Sequence, residues 1–235
     1  MSELLISEIT RMAAGLCVIG LERHKEGYSS LRPIPHGLTA WPQFPYYRAD
    51  RMSFDLSLSP GVTEHHCEDR RAGNPRLVDS VSEGELVGCL KQAEVADSIK
   101  NLFGCDVHPS PRGGAAVYVN PVDARRSVCG CKINSVHFRF YPEKIRVALA
   151  LESGETLDSL PVVDRDWFAF AKRWDDESQS RLAGFFNWFI VDQIISSPIR
   201  FARIGLARPD KDGLCWLMLD SLFPLPKAEW VKEFK

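Results

Sequence analysis

The chain has no apolar run long enough to span a bilayer as a helix, and its start, Met1-Ser2-Glu3, is not the basic leader of a secreted protein. A cytoplasmic location without a membrane partner is the expectation. Excess charge of either sign is also missing. The 29 basic and 31 acidic residues leave a formal net charge of −2, which indicates neither disorder nor a global attraction to polyanions. Any basic binding surface must therefore be local. The seven cysteines are odd in number and scattered. Cys129-Gly130-Cys131 is spaced more tightly than a usual zinc pair, and no second pair follows. Reduced thiols packing as small apolar groups are expected, with no metal and no cofactor.

Catalytic signatures are sparse. Gly113-Gly114 lacks the lysine and hydroxyl residue of a phosphate loop, and no Gly-x-Ser-x-Gly elbow occurs. His66-Cys67-Glu68 fits the first element of a zinc deaminase signature, in which the histidine binds metal and the glutamate moves protons, but the Pro-Cys-x-x-Cys element is absent. No catalytic residue is assigned, and the chain reads as a binding protein more than an enzyme.

What the chain does have is length for two small domains, with 235 residues of which 45% are apolar, and a strand pattern that divides. Leu4 to Thr10, Leu16 to Leu21, Ser29 to Ile34 and Met52 to Ser59 read as strands, the last alternating Phe54, Leu56 and Leu58 with polar residues. Pro33 to Tyr47, rich in Pro and Gly with Trp41, Phe44 and Tyr46, reads as an ordered irregular loop. Ser82 and Glu85 have capping-box spacing, opening one or two helices through Leu86, Leu90, Val95, Ile99 and Leu102. Ala115 to Val119 reads as the strand that closes the first half, and Asn120 to Ser127 as a linker.

In the second half, Val136, Phe138 and Phe140 alternate with polar residues, as do Ile145, Val147, Leu149 and Leu151 with Arg146 and two alanines. A third strand is predicted over Glu155 to Val163, a helical segment over Asp166 to Ile195, and strands near Arg200 to Ala207 and Leu214 to Leu222. Three strands, a helix and two strands is the element order of an OB barrel. The predicted fold is thus mainly β with helical insertions: two tandem OB-like small barrels, residues 1–120 with a helical insertion and 121–235 with a long aromatic helix. A single mixed α+β domain is the alternative.

Several peptides resemble those of the dual OB-containing domain family of prokaryotes. They are Ser7 to Met12 with Cys17 to Gly20 and Leu31-Arg32-Pro33, then Thr63 to Asp69 with an altered proline–histidine order. Lys144 to Val147, Leu160 to Asp164 and Ile204 to Pro209 complete the set. The resemblance implies two fused OB folds and a role in nucleotide- or nucleic-acid-centred defence or conflict systems, with no enzymatic activity attached.

Strand arginines can track a phosphate backbone while aromatics such as Tyr118, Tyr141, Phe201 or Trp216 stack bases. The binding residues expected are Arg11, Arg32, His65, His66, Glu68, Arg139, Arg146, Arg203, Arg208 and Trp216. Arg32 and Arg208 precede prolines, which hold them extended. The commoner fate of such residues is a solvated outer face for the arginines and the core for the rings. The ligand expected is a nucleic acid or nucleotide, single-stranded favoured. One alternative is a metal-dependent nucleotide or nucleic-acid hydrolase built on His65 to Asp69. Another is an adaptor for an effector protein, suggested by the all-round apolar Phe185 to Ile190, which packs between the barrels or, if exposed, forms a homodimer.

Overall fold

The computed structural model describes residues 1–59, 66–141, 144–169 and 200–224. Five strands, β1 (Ser2–Met12), β2 (Gly15–His24), β3 (Gly27–Pro35), β4 (Asp50–Leu58) and β5 (Asp69–Ser80), close into a barrel in the order β1-β2-β3-β5-β4. All neighbours are antiparallel except β3 and β5. Because β4 returns beside β1, the first four strands form a Greek key, and β5 seals it in the manner of an OB-like barrel.

Alternation sets what the barrel encloses. Leu4, Ile6, Ile9, Val18, Leu31, Met52 and Phe54 face inward, and a bulge between Ile6 and Glu8 resets the phase so that Ile9 points in while Glu8 turns out. The loop from 36 to 49 is irregular, as its composition predicts, and its rings plug the barrel. Trp41 packs edge-on against Phe44 at 5.5 Å, and both lie on the barrel core. Gly15 is required at the first turn, since a Cβ there would sit 2.3 Å from the Trp41 carbonyl oxygen at φ +134°.

α1 (Glu83–Leu90) starts at the predicted capping box, with both Ser82–Glu85 bonds made. It stops earlier than the apolar spacing predicts. Beyond it, β6 (Val95–Ala96) pairs in parallel with Gly130 and Cys131, and Ile99–Asn101 is a short 3-10 turn. Strand pairing supplies these backbone groups with partners that a continued helix would have had to replace.

The second sheet runs in the order β11 (Thr156–Pro161), β10 (Lys144–Leu151), β9 (Val128–Tyr141), β12 (Phe201–Leu206), β13 (Cys215–Phe223), β8 (Val117–Val119), β7 (His108–Pro109). β12 lies beside β9 as β4 lies beside β1, so the Greek key recurs. The sheet curls until Val162 bridges Leu219 in parallel, the counterpart of the β3–β5 seam. Its interior is the largest core, including Val147, Leu149, Leu160, Ile204, Leu217 and Leu219.

β8, read from the sequence as closing the first half, instead pairs with β13 through Val119 and Tyr118. Cys129-Gly130-Cys131 lies within β9, and burial pushes the Cys131 thiol up to about 12. Of the predicted helical segment, residues 165–169 are helical. The rest of it, Phe185 to Ile190 included, lies outside the described residues. No helix among the described residues is long and apolar enough to cross a membrane.

Candidate functional site

In a five-stranded Greek-key barrel the outer face of the second and third strands is the usual ligand surface. In the first unit that face is covered by β12 and β13 of the second. One end of the contact is apolar: α1 wedges Leu86, Val87 and Leu90 against Leu5 and Leu21 from the barrel and Phe201 and Phe223 from the sheet. The other end is a buried charge layer.

Arg203 and Glu8 are both fully buried and pair at 2.7 Å. The guanidinium also donates to Ser30 Oγ at 2.6 Å, and Ser7 Oγ donates to the other Glu8 oxygen at 2.6 Å. Asp220 lies beside them, and Gly205 makes room for it: a Cβ at 205 would fall 2.0 Å from Asp220 Oδ2. Burial, then the Glu8 charge, push the Asp220 carboxyl up to about 8 against the pull of Arg32 and Arg203. A second knot joins Arg48 to Asp164 at 2.6 Å, to Asp166, and to Ser221 Oγ at 2.7 Å.

The third knot gathers four of the residues expected from the sequence. Arg32 Nη1 donates to Asp69 Oδ1 at 3.0 Å and approaches His66 Nδ1 at 3.0 Å, while Nη2 donates to Ser127 Oγ at 2.5 Å. A guanidinium has no lone pair to offer, so His66 Nδ1 is the accepting nitrogen. Both Glu68 oxygens accept from Ser127, from its amide at 2.7 Å and its hydroxyl at 2.9 Å. Arg208 reaches Asp69 Oδ2 at 2.9 Å from the β12–β13 loop. A guanidinium facing the histidine and a carboxylate fully engaged by serine are a poor cation cage. Among the described residues no group of three or more His, Cys, Asp or Glu is placed to hold a metal.

The remaining expected residues separate. His65 lies outside the described residues. Arg203 is enclosed with Glu8 and has no surface to offer a ligand. Arg11 sits at the rim with its guanidinium 3.8 Å over the Phe168 ring. Arg139 and Arg146 lie opposite one another on β9 and β10, on the outer face of the second unit. Trp216 belongs to a third surface, beside Tyr118 with ring centroids 5.7 Å apart.

The outer face of β9, β10 and β11 is the second unit's equivalent of the face the first unit buries. Along β10 the inward Ile145, Val147, Leu149 and Leu151 are buried, and Lys144, Arg146, Ala148 and Ala150 point outward. His137 stands opposite Ala148, and Tyr141 opposite Lys144. The Arg139 side chain is 41% exposed and pairs with Asp158, while Arg146 donates to the Ser159 carbonyl at 2.7 Å. Small residues in the middle, cations around them and an exposed tyrosine at the edge make a shallow cationic platform.

Glu8, Arg48, Asp164 and Asp220 were not singled out from the sequence. A usable signal existed for two of them: Asp220 is the one charge in β13, and Glu8 falls between Ile6 and Ile9 in the buried stretch of β1. Such a residue is seldom buried without a partner. Comparison of the chain with protein-family models, with curated proteins and with solved structures finds no match in any of the three.

Proposed function

We propose that the chain is a non-catalytic binding protein for nucleic acid or nucleotides, single strands favoured, and that the β9–β10–β11 face is its contact surface. The observation that carries this reading is the asymmetry between the two units. The strand face of the first is sealed by Arg32, Ser30 and their partners, while that of the second leaves Arg139, Arg146, Lys144 and Tyr141 around Ala148. Cations positioned by strand pairing would contact phosphates, and the tyrosine would stack on a base. Two Greek-key units in one chain favour the likeness to the dual OB-containing domain family, and with it a place in a nucleotide-centred conflict system.

Fluorescence anisotropy with a labelled oligothymidylate across a salt series tests the proposal. Binding at low salt should weaken linearly on a log–log plot, and Arg139→Ala with Arg146→Ala should flatten the slope by about 0.7 for each phosphate no longer neutralised. An unchanged slope in the double variant, or no binding at low salt, would overturn it.

A further inference from the structure

Three rings stand in a row beyond the second Greek key, on β13 and on the two short strands that extend its edge. His108 pairs directly with Tyr118, and Tyr118 with Trp216. The ring centroids are 5.4 and 5.7 Å apart. Directly opposite residues on neighbouring strands share a face. Here it is the face turned away from Val119 and Cys215, which are fully buried in the core. All three rings are half-buried, and none belongs to a core cluster.

The Trp216 ring is nevertheless held in place by its neighbours. Asp210 Oδ2 accepts from the Trp216 indole at 2.9 Å, and Oδ1 accepts from the Asp212 and Leu214 amides. Arg112 bonds to both Asp210 and Asp212 and lies 5.8 Å from the Trp216 ring centroid. A ring locked in place without serving the core is a mark of a preorganised contact surface. Both Asp210 oxygens are already engaged, so this carboxylate offers no free acceptor of the kind a sugar would need. Lys211, exposed on the same loop, adds positive charge.

We propose that His108, Tyr118 and Trp216 form a stacking platform for unpaired nucleobases, a second contact for a single-stranded ligand. The inference rests on the nucleic-acid reading above and adds to it a part that recognises bases and not phosphates. Any base can lie on such rings, because every base has a π-face.

The test compares a short oligothymidylate with an abasic oligomer of the same length and charge. The protein should prefer the oligothymidylate. Tyr118→Leu and His108→Leu keep apolar bulk on the strands, and each should weaken that binding about 5- to 100-fold while leaving the abasic oligomer and the salt slope unchanged. Tyr118→Phe, which keeps the π-face, should bind as the parent does. Leucine variants that bind the oligothymidylate normally, or that bind both oligomers equally poorly, would overturn the platform. If the parent binds neither oligomer, the strand-face reading falls, and the platform is decided by adenosine alone. Quenching of emission that disappears in Trp216→Phe would sustain it, and the absence of such quenching would end it.

Discussion

Asp220 keeps a proton well above the pH at which a free aspartate loses it, because its cavity is closed and Glu8 is nearby. The sign of the effect on stability follows. The unfolded chain releases this proton near the ordinary value of 3.8 and the folded chain near 8, so the contribution is complete below the first and declines until the second. The slope is about 1.4 kcal/mol per pH unit. Asp220→Asn keeps the shape and removes the titration. In urea unfolding it should gain on the parent as pH rises from 5 towards 8; parallel profiles would show that the carboxyl titrates normally. At this scale the sequence displays that a charge is placed among apolar neighbours, but not which partner meets it: Glu8 and Arg203 are separated by 195 positions.

Elements with a local cause were the readable ones. The alternation of β10 and the Ser82–Glu85 box each lie within a few residues of the contacts that stabilise them. Ser82→Ala removes the hydroxyl that accepts from the Glu85 amide and should cost about 1 kcal/mol in chemical denaturation. An unchanged midpoint would mean that α1 is held by its apolar wedge alone. β5 was not readable, because Gly73, Asn74 and Pro75 interrupt it and Asn74 takes a φ of +50° between two stretches of regular pairing. Its only fully buried apolar side chain is Ala72. The first half of β9 was hidden for a different reason. Val128 to Cys131 is buried without alternation, covered on one side by the second core and on the other by contacts such as Phe201 over Gly130.

Across the whole molecule, the contact between the two units joins an apolar wedge to a layer of ion pairs. Buried ion pairs add little net stability against well-packed apolar groups, yet they are costly to break on one side only. Arg203→Met should therefore lose about 3–5 kcal/mol, and Glu8→Leu combined with it should recover most of that loss. Equal losses in the single and double variants, measured by urea unfolding, would show that the loss does not come from leaving the Glu8 charge unpaired.

By itself the sequence determined that the chain is β-rich and forms two small barrels, and it singled out Arg32 and Arg203, two of the three buried arginines among the described residues, though as ligand contacts. Those properties follow from side-chain period, turn residues and proline neighbours, all of which act over a few positions. Only the tertiary structure decided which arginines are buried as links and which stay open, where β8 pairs, and that the strand face of the first barrel is closed by the second. These depend on strand partners and charge partners distant along the chain, and nothing in a local pattern specifies them.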